Sequence, residues 1–302
     1  MLTLKNMNRF IFILSPFITP FSFCQVKILF DATKAESACN ADWVIDADNH
    51  NLGFRNGPAV LGAGSESNPQ RYPTPSQTGI TATTDETYWN GALSAWAIDC
   101  VKQGYTVETL PYNGQITYNV HSNPQDLSNY KIYVIVEPNI PFTASEKDAI
   151  VNFVSNGGGL CIISDHDQSD RNNDNFDSPN ILNDLMANNQ VQANPFGITF
   201  DYTDISQTSY NIAPLPSNSI LHGSMGNVTQ VQWSGGTTMR LDTTQNTSVA
   251  GLVYKTSASA TGSTNALCAS AVYNNAKVVA IGDSSIPDDD TGDSNDTLYN
   301  GY

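Results

Sequence analysis

Basic residues are scarce in this 302-residue chain: 13 Lys and Arg stand against 29 Asp and Glu, a net charge of −16. Binding to DNA, RNA or an acidic membrane face needs clustered Lys and Arg to replace counterions. The composition therefore argues against nucleic acid and membrane as partners, and makes divalent metals the natural guests of the surface. Cysteine is sparse too, with five in the whole chain and no C-x-x-C spacing of the zinc type. No run is apolar for the ~20 residues that a membrane span needs, and no internal repeat is present. What the chain does have is enough apolar matter for a core: 40% hydrophobic residues, including 12 Phe, 13 Tyr and 4 Trp, which excludes a disordered or fibrous chain.

Residues 1–24 read as a secretory signal peptide. Lys5 and Arg9 precede the apolar "FIFILSPFITPF", and Ser22 and Cys24 supply the small residues before a cut at Gln25. The expected product, 25–302, is secreted or periplasmic, with 29 acids against 11 bases and a net charge of −18. It keeps Cys39, Cys100, Cys161 and Cys268. Export permits disulfides among them in three pairings, and the alternative is that each is a small buried hydrophobe.

Apolar strands and helices alternate through the first part of the chain. "VKILFDATK" (26–34) and "KIYVIVEPN" (131–139) are short apolar runs, and "YTVETLP" alternates like a strand. Helical spacing of Trp89, Leu93, Trp96 and Cys100 predicts a helix over 87–104. A second helix is marked by Thr143 and Glu146 as a capping box, with glycines 157–159 at its end and the strand "LCIIS" after it. Short apolar strands separated by helices predict a doubly wound, mostly parallel α/β sheet. From about 191 to 278 the chain becomes rich in Thr, Ser, Asn and Gly, which predicts β-rich additions to a single domain, with a hairpin turning at Asn274-Asn275.

In open parallel sheets ligands bind beyond the carboxyl ends of the strands, and four expected strands end in an acid: Asp31, Glu137, Asp165 and Asp283. Acids also suit such ends as helix caps and turn formers. Gathered together, four carboxylates would need a cation or shared protons, so Asp165, Glu137 and Asp283 are candidate catalytic residues. His166 follows Asp165 directly and is the candidate general base, metal ligand or, held protonated among carboxylates, acid. His50, His121 and His222 are weaker candidates. "DRNNDNFD" places Asp170, Asn172 and Asp174 at alternate positions with Asp177 beyond, a partial calcium-loop spacing that lacks the closing glutamate, since Ile181 stands there. Asp288, Asp289 and Asp290 form a second acidic run. Oxygen-only donors point to calcium or magnesium, against the plain alternative of solvated turns. "AIGDSS" offers Ser284 as a nucleophile, with no Asp-x-x-His after it.

"IVNFVSNGGGLCIISDH" and "AKVVAIGDSS" resemble the helix, glycines and strands around the elbow of the class I glutamine amidotransferase-like superfamily, in its trehalose-utilisation and gliding-protein-like branch. The long acidic strings also resemble a group of uncharacterised exported bacterial proteins. The resemblance implies an amidotransferase-like α/β fold that closes with a helix, so a chain stopping at Tyr302 reads as C-terminally truncated. At the elbow this sequence has Ser164-Asp165-His166 in place of the family's cysteine, so glutamine amidotransferase activity is not expected. The expected function is a metal-assisted or acid/base hydrolase acting on extracellular, glycan-type material, carbohydrate fitting an acidic surface better than a polyanion does. The alternative is a non-catalytic, calcium-stabilised binding or adhesion module.

Overall fold

The computed structural model describes residues 25–38, 41–46, 74–89 and 91–288. The leader, Cys39, His50, Asp289 and Asp290 lie outside them. In chain order the elements are β1 (Lys27–Asp31), β2 (Ser37–Ala38), β3 (Ala41–Asp42), α1 (Ser94–Lys102), β4 (Thr106–Leu110), β5 (Ile132–Val136), α2 (Ala144–Ser155), β6 (Gly159–Ile163), α3 (Ser178–Ala187) and β7 (Ile198–Phe200). There follow β8 (Ile205–Ser209), β9 (Asn211–Ile212), β10 (His222–Gly223), β11 (Gly226–Asn227), β12 (Val231–Gly236), β13 (Met239–Leu241), β14 (Ala250–Tyr254), β15 (Ala266–Tyr273) and β16 (Ala276–Ile281).

A ten-stranded sheet runs β4-β1-β5-β6-β16-β15-β13-β7, with β14 on β15 and β9 on β14. The first five strands of that order pair in parallel, and every pairing beyond β16 is antiparallel. The β-rich region is thus largely an extension of the main sheet, with β8 and β12 pairing separately. Alternate side chains of the parallel strands fill two cores. Ile28, Phe30, Val134 and Val136 meet Ala97 and Ile98 of α1 on one face. Leu29, Tyr133, Ile135 and Ile162 meet Ile150, Phe153, Ile181 and Leu182 of α2 and α3 on the other. At ~1.5–3 kcal/mol for each large apolar side chain, this two-sided burial holds the strand ends in register, and with them the loops that leave those ends.

Local signals explain most element ends. Thr143 and Glu146 form the capping box of α2, with Glu146 N donating to Thr143 Oγ1 at 3.3 Å and Thr143 N donating to Glu146 Oε2 at 2.8 Å. Asn274 and Asn275 both take positive φ, 46° and 70°, in the turn between β15 and β16, as a tight type I′ connection requires. The helix predicted over 87–104 is shorter. Only Ser94–Lys102 is α-helical, after a 3-10 turn at Glu86–Tyr88. Gly91 packs so close to the chain at Val44 that a Cβ would stand 1.9 Å from the Val44 carbonyl oxygen, and Leu93 N donates to that oxygen instead of continuing a helix. Cys100, Cys161 and Cys268 are free thiols. Burial pushes each up to about 12, so they stay protonated. No helix among the described residues is long and apolar enough to cross a membrane.

Candidate active site

The parallel pairing carries the ends of β5, β6 and β16 to one edge of the sheet. Glu137 follows β5 and still donates its N–H to Ile163 O at 2.9 Å, but its φ of 44° turns the chain out of the strand. A non-glycine residue held there costs ~1–3 kcal/mol. The fully buried carboxylate is held on both oxygens. Oε1 accepts from Arg171 Nε at 3.0 Å, and Oε2 accepts from Trp43 Nε1 at 3.0 Å and from Ser284 Oγ at 2.7 Å.

Asp165 lies two residues beyond β6 and is 3% exposed. Its Oδ2 accepts from Arg171 Nη2 at 2.7 Å, so one guanidinium spans Glu137 and Asp165. Burial lifts the Asp165 carboxyl well above its ordinary range. The Glu137 charge adds to the rise, Arg171 opposes it and Asp283 adds a further push. Asp283, two residues beyond β16, accepts from Ser234 N at 2.5 Å and Ser285 N at 2.9 Å. Burial nevertheless raises it from 3.8 to about 6, the amide donors opposing and Glu137 adding a little. Burial thus pushes both Asp165 and Asp283 toward their protonated forms, Asp165 against the opposing charge of Arg171.

His166 is the member of the group nearest solvent, its side chain 24% exposed. Its Nδ1 sits 2.6 Å from the Asp167 carbonyl oxygen. That oxygen can only accept, so Nδ1 carries the proton and Nε2 is the nitrogen turned toward Asp165 Oδ2, 3.7 Å away. Gly235 passes beside the ring: a Cβ there would stand 3.4 Å from His166 Cδ2, and the residue's φ is 73°.

The sheet therefore brings together Glu137, Asp165, His166 and Asp283 of the expected set. Arg171 and Trp43 were not among the expected residues. Arg171 had a visible signal, being the one Lys or Arg in "SDHDQSDRNNDNFD". Trp43 had none, since 94 residues separate it from its partner Glu137. Ser284 is 2% exposed and gives its hydroxyl to a carboxylate, not to a histidine. Asp31 stands at the end of β1 in a separate polar group with Glu36.

The spaced acids of the next loop spend their oxygens on the main chain. Asp170 accepts from Asp174 N and Asn175 N, Asn172 Oδ1 accepts from Asp174 N, and Asp174 Oδ1 accepts from Phe176 N. Asp177, expected as an ion ligand, is the N-cap of α3, accepting from Asn180 N at 3.1 Å, while its other oxygen accepts from Gln168 N at 2.8 Å. Asp288 is buried. Among the described residues no three of His, Cys, Asp and Glu are grouped so as to hold a metal ion. At Glu137 and Asp165 the position a cation would take holds Arg171, so these two do not fit a divalent ion there.

No protein-family model matches the sequence, and no curated protein matches it. Among solved structures it is similar to the N-terminal domain of mmIFT52, with a TM-score of 0.47 and 12% identity over 88% of this chain and 90% of that one. It is similar to a cytoplasmic protein from Salmonella typhimurium, with a TM-score of 0.40 and 13% identity over 64% of this chain and 76% of that one. It is also similar to a ThuA-like protein from Bacteroides uniformis, with a TM-score of 0.37 and 10% identity over 87% and 84% of the two chains. These are likenesses of a mixed α/β fold with a large central sheet.

Proposed function

We propose that this protein is a hydrolase working by acid/base transfer on neutral, glycan-type extracellular material, with His166 and Asp165 as the proton-transferring pair. The observation that carries the reading is the Arg171 clamp. It holds Asp165 against Glu137 in a buried setting that pushes the Asp165 carboxyl toward its protonated form, beside an imidazole whose Nε2 faces the same oxygen. In this scheme His166 Nε2 takes a proton from an attacking water, and Asp165 gives its own to the departing oxygen. Proton return from imidazolium to carboxylate across the 3.7 Å gap resets the pair. That gap is shorter than the ~5–10 Å between the two acting groups of a glycosidase. The pair therefore fits addition of water to a carbonyl carbon, as in an acyl ester carried on a glycan, better than cleavage of a glycosidic bond. The acid/base branch is preferred over a metal-assisted one because Arg171 already supplies the positive charge at the carboxylates.

The second reading, a non-catalytic binding module, is favoured by the full burial of Glu137 and Asp283. Assay of the purified chain separates them. The substrates are simple acyl esters, acylated neutral glycans and unsubstituted glycans, each with and without EDTA. The hydrolase reading expects release of the acyl group from neutral substrates, unchanged by EDTA. Absence of turnover on the whole set would overturn it in favour of the binding module.

A further inference from the structure

A second group of buried oxygens lies at the end of β1, away from Arg171. Asp31 is 1% exposed, Glu36 and Tyr133 are fully buried, and Thr33 is 3% exposed. Each carboxylate has one oxygen tied to the main chain: Asp31 Oδ1 accepts from Thr33 N at 3.1 Å, and Glu36 Oε2 accepts from Lys34 N at 2.7 Å. The other oxygens, Asp31 Oδ2 and Glu36 Oε1, have no hydrogen-bond partner, and neither do the hydroxyls of Thr33 and Tyr133. Burial raises Asp31, Glu36 and Tyr133 alike, and Asp31 lies near enough to Glu36, Thr33 and the Tyr133 hydroxyl for these neighbours to act on the protonation of the two acids and the phenol as well. Tyr133 pairs with Leu29, two residues before Asp31 on β1, so Tyr133 and Asp31 leave the same face of the sheet. Among the described residues Lys34 is the cation that acts on Asp31, and its Nζ is spent on both oxygens of Glu146 at 2.8 and 2.7 Å.

We propose that Asp31 Oδ2, Glu36 Oε1, Thr33 Oγ1 and the Tyr133 hydroxyl ligate one hard cation, calcium being the best match. An all-oxygen donor set selects a hard ion over zinc or copper. Two carboxylates balance a double charge, and calcium tolerates an irregular shell of carboxylates and hydroxyls that magnesium does not. Such an ion would stabilise the loop behind the hydrolase site without entering its chemistry, so its removal lowers Tm and leaves turnover well below Tm unchanged. Glu36 O accepts from Trp43 N at 3.1 Å, and Trp43 caps Glu137. Asn139 Nδ2 donates to Ala35 O and Ser37 O of the same loop, while Asn139 Oδ1 accepts from Arg171 N. The ion site itself does not depend on the protein being a hydrolase.

The test is titration of EDTA-stripped full-length protein with calcium chloride by calorimetry, paired with thermal unfolding, using sodium and magnesium chloride as controls. One calcium per chain is expected, with Tm higher by about 5 °C or more at a calcium concentration ~100 times the Kd. Asp31→Asn and Glu36→Gln should abolish both effects, Asp174→Ala should keep both, and Tyr133→Phe, which removes no charge, should weaken binding about tenfold. Should Asp31→Asn and Glu36→Gln fail to fold, Tyr133→Phe and Thr33→Val decide the matter. The proposal is overturned by an unchanged Tm with no heat of binding, by binding that survives Asp31→Asn and Glu36→Gln, or by binding lost in Asp174→Ala.

Discussion

Two buried acid groups stand at the same edge of the sheet, and they solve one electrostatic problem in different ways. Glu137 and Asp165 are bridged by Arg171, and every Glu137 oxygen has a donor. Asp31 and Glu36 have only main-chain donors on one oxygen each, and their other oxygens, like the hydroxyls of Thr33 and Tyr133, have no hydrogen-bond partner. Buried carboxylates without a cation are expected to hold protons or to take an ion. The first group is thus a finished network, paired within the protein, and the second is the one proposed to take its positive charge from outside. The proposed proton chemistry rests on the first group, at β5, β6 and β16, and the proposed ion site on the second, at β1.

Breaking the finished network should have the largest effect. Arg171→Ala strands two buried carboxylates, and a loss of ~3–5 kcal/mol in urea unfolding is expected; a loss under 1 kcal/mol would show that Glu137 and Asp165 do not rely on the clamp. Proton linkage gives the next largest. The folded-state pKa of Asp283, about 6, lies above its ordinary 3.8. A raised acid favours folding while protonated, so its contribution is whole below pH 3.8 and is lost as pH rises through 6. Asp165 is displaced in the same direction. Stability measured from pH 4 to 7 should therefore contain a decline of up to ~3 kcal/mol from Asp283, and Asp283→Asn should flatten it. In the unfinished group, Tyr133→Phe removes a buried hydroxyl that has no partner. In EDTA this variant should be more stable by ~1 kcal/mol, and with calcium it should lose that advantage. Smallest of all, Asp177→Ala removes the cap of α3 and should cost ~1 kcal/mol equally with and without calcium.

The sequence showed the strand ends well because continuous apolar runs such as "KIYVIV" and "LCII" stop sharply at Glu137 and at Ser164-Asp165. Parallel packing then does the gathering. What it could not show is which partner each acid finds, since Trp43 reaches Glu137 through tertiary contact and no local pattern encodes that. The acidic loop is ambiguous in sequence for a different reason. Alternate Asp and Asn serve ion loops and Asx turns equally, and the Asp177-Ser178-Pro179 triplet, a sound helix start, was read as part of the ligand spacing. The early helix was overextended because periodicity carries no trace of Gly91 pressing on Val44. Gly235 likewise is one more glycine in the sequence, and only its place beside His166 gives it meaning.

The most direct measurement is kcat/KM of His166→Ala and of the unaltered chain on an acylated neutral glycan, with Tm recorded for both. A fall of ~100-fold or more at an unchanged Tm is the predicted result. Equal turnover in the two proteins would contradict the assignment of the imidazole as the base.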